Sequence, residues 1–250
     1  MVRVPSERTE AGADREDADR LPARGQQTWL RSYGGRRGRT ASARQAGLLA
    51  DALPRVAVAL AAAAPPRLAD LFGPEIGDVW LEVGFGAGEH LVWQAKHNPR
   101  VGILGCEPYR DGVIKALSAI AADRLDNVRL FADDARRLLA WLPAASIGRA
   151  FVLFPDPWPK KRHHKRRLLG HETLAMLARV MRPGAELRVA TDAADYAAAI
   201  AGAVAEHGGF AGAGRTGRAF RRPSDWPQTR YEQKARDAGR NCHFFALRRR

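Results

Sequence analysis

The apolar run Val79–Val83 ends in Gly84-Phe85-Gly86-Ala87-Gly88 and passes directly into a helical stretch, Glu89–His97. A strand that turns through three glycines into a helix opens a strand–helix–strand unit. The rest of the chain keeps that rhythm. Strands are predicted at Val101–Glu107, Asn127–Ala132, Arg149–Phe154, Glu186–Thr191 and Cys242–Arg248. Helices are predicted at Arg110–Ala121, Ala135–Trp141, Leu168–Met181 and Ala193–His207, with Pro183-Gly184 stopping the third of them. Alanine-rich Asp51–Ala64 is expected to include a helical segment, stopped by Pro65-Pro66. Nearly continuous apolar strands alternating with helices predict an α/β fold, a mostly parallel sheet covered on both faces.

Composition narrows the function classes. A chain of 250 residues can bury one sizeable core. Its longest apolar runs, Val56–Ala64 and Ala197–Ala205, are too short for a bilayer, which needs about 20 residues. No membrane partner and no signal peptide are expected. The two cysteines, Cys106 and Cys242, have no metal-ligand spacing, and the seven histidines form no metal set, so no metal is expected. Sparse cysteines make a reducing, cytoplasmic location the default.

The 41 Lys+Arg against 27 Asp+Glu leave a formal charge of +14. Arg outnumbers Lys 35 to 6, which a compositional habit would also produce, but the charges are clustered. Residues 20–50 carry seven Arg and no acid, and residues 160–167 place six formal charges in eight positions. Like charges at that density repel, which points to a polyanionic partner such as nucleic acid. Residues 1–25 read as a disordered tail, 26–50 as a basic arm, and 51–250 as the folded domain.

The glycine loop admits three readings: a ligand-free tight turn, a dinucleotide site, or a site for another nucleoside. A dinucleotide loop prefers G-x-G-x-x-G, whereas Glu89 stands after Gly84, Gly86 and Gly88 and would meet the pyrophosphate with a carboxylate. A cationic, phosphate-free ligand such as S-adenosyl-L-methionine escapes that conflict. Glu107, 19 residues after Gly88, could accept both ribose hydroxyls or cap a helix. Asp134 could accept an adenine amino group or cap the Ala135 helix. Glu82, inside a strand, needs a donor, either the ligand's amino group or a buried structural partner.

At the end of the fourth strand stands Phe154-Pro155-Asp156-Pro157-Trp158-Pro159, followed by Lys160-Lys161-Arg162-His163-His164-Lys165-Arg166-Arg167. Prolines fix the direction of Asp156, Trp158 offers a face to a base, and the cations offer phosphate partners. This segment closely resembles the signature of the bacterial tRNA (guanine-N7)-methyltransferase family. The resemblance extends to Leu81–Gly88, to Gly105-Cys106-Glu107, to Thr191-Asp192, to Thr229-Arg230-Tyr231-Glu232, and to the arm around Arg36, Arg37 and Arg39.

The resemblance implies a class I, Rossmann-like S-adenosyl-L-methionine-dependent methyltransferase fold with a seven-stranded, mostly parallel sheet. It implies transfer of a methyl group from S-adenosyl-L-methionine to N7 of a guanine in tRNA, typically in the variable region. Cofactor contacts would come from Glu82, Gly84, Gly86, Gly88, Glu107, Asp134 and Asp156, with Asp156 catalytic. Guanine contacts would come from Lys160, Asp192, Thr229, Arg230, Tyr231 and Glu232. Arg36, Arg37, Arg39, Arg162, His163, His164, Lys165, Arg166 and Arg167 would touch RNA. The partner is tRNA, bound by a monomer or homodimer. A non-catalytic RNA-binding protein on the same fold, and a methyltransferase of another RNA or of protein, are the competing readings.

Overall fold

A computed structural model describes residues 42–60, 63–212, 225 and 227–250. The tail 1–25, and Arg36, Arg37 and Arg39 of the arm, lie outside the described residues. Seven strands make one sheet: β1 (Asp78–Val83), β2 (Val101–Cys106), β3 (Val128–Phe131), β4 (Ile147–Leu153), β5 (Met181–Thr191), β6 (Phe210–Ala211) and β7 (His243–Arg249). Their order is β3-β2-β1-β4-β5-β7-β6. The first five run parallel, and β7 is antiparallel to both β5 and β6.

The strand order reverses between β1 and β4. Ligands in open α/β sheets sit outside the carboxyl ends of the strands at such a reversal. Here Val83 at the end of β1 pairs with Cys106 of β2 on one side and with Val152 of β4 on the other. The glycine loop, Glu107 and the Pro-Asp-Pro-Trp segment therefore leave the sheet at one rim.

Side chains alternate along β1. Val79, Leu81 and Val83 enter a core with α5 (Ala135–Trp141), α6 (His171–Val180) and α7 (Ala194–His207). Trp80 and Glu82 face the other side, where α3 (Glu89–His97) and α4 (Arg110–Asp123) bury Leu91, Ala95, Val113 and Leu117 against Ile103 and Leu130. Each helix thus hides one apolar stripe against a sheet that is apolar on both faces. No described helix is long and apolar enough to cross a membrane.

Several elements differ from the expected ones. The alanine-rich stretch does include a helical segment, α2 (Leu53–Val56), which continues from α1 (Ala43–Gly47) through a widened turn over Leu48–Ala52. In that turn the Leu53 N–H reaches back to the Leu48 carbonyl, one residue before Pro54, which has no N–H to donate. The helical segment runs through the expected boundary at residue 50, and Leu49, Leu53 and Val56 pack against the core.

Helix α6 begins at His171 rather than Leu168, because Gly170 before it is extended, φ −135° and ψ −177°; the Leu169 N–H donates to the Tyr196 hydroxyl at 2.9 Å. Pro183-Gly184 does not terminate that helix but lies inside β5, where pairing with β4 is interrupted between Ile147 and Arg149. Helix α8 (Arg230–Asp237) and the two-residue β6 were not expected from periodicity. In α8 only Glu232 and Ala235 are buried, so no apolar stripe announces it.

Candidate active site

The turn after β1 needs its glycines for conformation and for clearance. Gly84, Gly86 and Gly88 all have positive φ, at 76°, 56° and 82°. At Gly88, which caps α3, a Cβ would come within 2.8 Å of the Ala116 Cβ. Across the turn, a Cβ on Gly112 would stand 2.3 Å from the Gly86 carbonyl oxygen. The loop is therefore pressed onto α4, and its backbone N–H groups are held in fixed directions.

Glu107 follows β2 and is buried. The Gly86 N–H donates to Glu107 Oε2 at 2.9 Å, and the Tyr109 N–H donates to Oε1 at 2.9 Å. Both oxygens are thereby oriented, and each keeps acceptor capacity for a ligand. Burial pushes the Glu107 carboxyl above its ordinary value. The two N–H bonds work against that shift, and the nearby charges of Asp156 and Glu82 add to it. Glu82, Glu107 and Asp156, near the ends of β1, β2 and β4, thus stand near enough for the charges of the first and last to act on Glu107.

Glu82 lies within β1 between Gly105 and Phe151 of the neighbouring strands. Its Oε2 is 2.8 Å from His90 Nδ1, so the buried structural partner is present. Asp134 caps α5, as one alternative expected. Its Oδ1 accepts the Arg136 N–H at 2.9 Å, and the Arg136 guanidinium binds both oxygens, Nε at 2.9 Å and Nη2 at 2.5 Å. An adenine amino group at Asp134 would have to use the acceptor capacity left over.

The Pro-Asp-Pro-Trp loop is strained and pinned. Phe154 and Trp158 both adopt left-handed backbone, φ 51° and 43°, which non-glycine residues seldom do. The Phe154 N–H donates to the Ala190 carbonyl at 2.7 Å. Arg167 Nε donates to the Pro157 carbonyl at 2.8 Å, its Nη2 pairs with Asp195, and its guanidinium lies 4.7 Å over the Tyr196 ring. Asp156 is held exposed between the two prolines.

The basic run is a tight turn over Lys161–Arg166. Lys160, Lys161, Arg162 and Lys165 are exposed, and His163, His164 and Arg166 are partly so. Arg166 lies 5.0 Å over the Trp158 ring, and His163 meets that ring edge-on at 5.8 Å. Arg167 stands apart from these neighbours: its side chain is only 7% exposed and is engaged by Pro157, Asp195 and Tyr196.

The Thr229–Glu232 stretch is the first turn of α8. Thr229 caps it, its hydroxyl accepting the Glu232 N–H at 3.2 Å. Glu232 is buried and accepts from Arg236 at 2.7 Å. Asp192, after β5, accepts from Arg240 Nε at 2.8 Å. The Tyr231 ring reaches the glycine loop, where a Cβ on Gly86 would stand 3.2 Å from its Cε2. Arg230 meets Glu89, the first residue of α3. Expected cofactor and guanine residues are thus adjacent.

Sequence reasoning misses His90, the bond from Arg230 to Glu89 and the internal role of Arg167. His90, one residue into a helix and eight after a buried acid, carries no distinct signal. The Thr229-x-x-Glu232 spacing is a capping pattern and is a usable signal for α8. Among the described residues, no group of three or more His, Cys, Asp or Glu side chains is placed to hold a metal ion.

A family model for methyltransferases, Methyltransf_4, matches residues 77–245. Curated relatives match across most of their lengths. The chain is 46% identical to the tRNA (guanine-N(7)-)-methyltransferase of Paramagnetospirillum magneticum, over 88% of this chain and 93% of that one. It is 43% identical to the protein of the same name from Nitrobacter hamburgensis, over 87% and 86%. To that from a Ruegeria species it is 51% identical, over 69% and 68%. Among solved structures it is similar to the 16S rRNA methyltransferase KamB, at 25% identity and TM-score 0.49, over 69% of this chain and 87% of that one. On the family model and the curated relatives, whose matched span holds the glycine loop, Glu82, Glu107 and the Pro-Asp-Pro-Trp corner, the chain belongs to the tRNA (guanine-N7)-methyltransferase family.

Proposed function

We propose that this site transfers the methyl group of S-adenosyl-L-methionine to N7 of a guanine in tRNA. The observation that carries the reading is the placement of Glu82, Glu107 and Asp156 near the ends of β1, β2 and β4, beside the glycine loop and where the strand order reverses. Such a pocket suits a cationic nucleoside, and a phosphate at the bordering turn would meet the Glu89 carboxylate. S-adenosyl-L-methionine, when bound, supplies an electrophilic methyl group on a sulfonium.

The chain's own contributions follow from its groups. Gly84, Gly86 and Gly88 let the backbone approach the ligand, and Glu107 receives the ribose hydroxyls with its two pre-oriented oxygens. Asp134 receives the adenine amino group. Guanine N7 carries a free lone pair, so no general base has to remove a proton first. Alignment is then the main task, and effective molarity from alignment can be worth about 7–11 kcal/mol. The Asp156 carboxylate stabilises positive charge as it develops on the guanine ring. Lys160, Asp192 and the Thr229–Glu232 turn hold the guanine around it.

The exposed cations Lys160, Lys161, Arg162 and Lys165, with the partly exposed Arg166, engage tRNA phosphates, with the arm at 31–44 as a second grip. The protein works as a monomer or homodimer in the cytoplasm. The deciding experiment incubates the purified chain with methyl-labelled S-adenosyl-L-methionine and unmodified tRNA, then maps the label. Label on N7 of a guanine is expected. Label on another atom, or tRNA binding without transfer, would remove this reading.

A further inference from the structure

We infer that His90, itself held by Gln94, is the positioning residue of Glu82 and thereby presents one carboxylate oxygen to the amino group of the cofactor's amino-acid portion. The inference rests on the reading of the pocket given above.

Glu82 projects from β1 toward α3. His90 and Gln94 stand four residues apart on that helix and so share a face. All three side chains are buried, at 3%, 2% and 1% relative exposure. His90 Nδ1 lies 2.8 Å from Glu82 Oε2, and His90 Nε2 lies 3.0 Å from Gln94 Nε2.

The remaining bonds set the direction of the relay. Asn98 Nδ2 donates to Gln94 Oε1 at 3.1 Å, so the oxygen of that amide is the acceptor end. Gln94 Nε2 is then the donor end, and it also donates to the Asp225 carbonyl at 3.3 Å. His90 Nε2 consequently accepts, which leaves the ring proton on Nδ1, donated to Glu82. The edge-to-face packing of the imidazole on Phe151, at 4.6 Å between ring centres, fixes the plane of the ring.

Among the described residues, His90 is the donor that reaches the Glu82 carboxylate. One oxygen is therefore satisfied from behind, while the other awaits a donor. A buried carboxylate half-satisfied in this way is costly unless a cation or donor completes it. Glu82 is the penultimate residue of β1, between Gly105 of β2 and Phe151 of β4, and its charge acts on Glu107, so its carboxylate stands beside the proposed cofactor site. The loop that would carry the ligand begins two residues further on, at Gly84. A primary ammonium fits that position by charge and by donor count.

The test is calorimetric binding of two ligands, S-adenosylhomocysteine and methylthioadenosine, which lacks the amino-acid portion. In His90→Leu, affinity for S-adenosylhomocysteine is expected to fall about tenfold, the worth of one charge-assisted hydrogen bond, while methylthioadenosine stays within about twofold. His90→Asn, whose amide can donate in place of Nδ1–H, should recover most of the loss. In a Glu82→Gln background, His90→Leu should add little further. Gln94→Met, which leaves Glu82 and His90 intact, gives the same selective loss at smaller size and keeps the test open if His90→Leu does not fold. Equal weakening of both ligands, or no weakening of either, would overturn the relay. A wild-type chain that binds neither ligand would overturn the pocket reading together with the relay.

Discussion

The Glu89 carboxylate accepts the backbone N–H of Arg230 at 2.8 Å, joining the first residue of α3 to the first residue of α8. The side chains add a looser ion pair at 3.8 Å, each about two-fifths exposed, which solvent screens. The backbone bond is the stronger part, because at 2.8 Å it is a true charge-assisted hydrogen bond, whereas the side-chain groups stay 3.8 Å apart. Through it the glycine loop and the Thr229–Glu232 turn form one wall. In Glu89→Ala, the amides of residues 230–233 are expected to exchange hydrogen about five- to tenfold faster, with those of β1 and β2 unchanged. Unaltered exchange in α8 would show that the turn is held by something else.

Glu107 carries a pH dependence whose sign follows from its shifted ionisation. Burial raises its folded-state value above the ordinary 4.5, and the charges of Asp156 and Glu82 raise it further. Stability from this group is present below 4.5 and is lost as pH rises through the folded-state value. A cation in the pocket acts in the opposite direction, because it favours the carboxylate. Affinity for S-adenosyl-L-methionine should therefore increase as pH rises from about 4.5 toward neutrality, and more steeply than affinity for S-adenosylhomocysteine, whose sulfur is neutral. Calorimetry across that range should show both slopes flattened in Glu107→Gln. Identical slopes in wild type and variant would exclude Glu107 as the titrating group.

The parts of this fold that are legible in the sequence are those written in short-range patterns. Val79–Val83, Glu82 apart, and Ala150–Phe154 are apolar on both faces, and a buried parallel strand needs that. Gly84, Gly86 and Gly88 mark backbone that other residues rarely adopt. The acids at Glu107 and Asp156 are found because they stand at strand ends. What stays hidden depends on partners distant in the chain. Arg167 reads as one more cation of a basic run until Asp195 and Tyr196, some thirty residues on, are seen to enclose it. His90 gains its meaning from Glu82 on another element. Helix α8 is polar because its role is to cover a loop edge rather than to fill the core.

Asp156 offers a separation between chemistry and binding. It is exposed between two prolines, in a loop whose geometry is set by Phe154, Trp158 and Arg167 rather than by its own side chain. Asp156→Asn keeps the shape and removes the charge. Single-turnover methylation should slow by about 10²–10³-fold, the usual cost of removing a group that stabilises developing charge. Filter binding of tRNA should change by less than about twofold, since every phosphate partner remains. Normal turnover in this variant would take the carboxylate out of the mechanism.

Arg167 and its exposed neighbours should respond to salt in different ways. Removing one cation that pairs with a phosphate of single-stranded RNA lowers the slope of log affinity against log salt by about 0.7. Lys161→Ala and Lys165→Ala should each weaken tRNA binding and flatten that slope by roughly this amount, because both ammonium groups are exposed. Arg167→Met should leave the slope unchanged, because its guanidinium is buried against Pro157, Asp195 and Tyr196. Its cost should fall instead on turnover, through a loop released from the Pro157 carbonyl, with kcat lowered and KM for tRNA nearly constant. A flattened slope in Arg167→Met, equal to that of the lysine variants, would show that the guanidinium leaves its pocket to meet phosphate when tRNA binds.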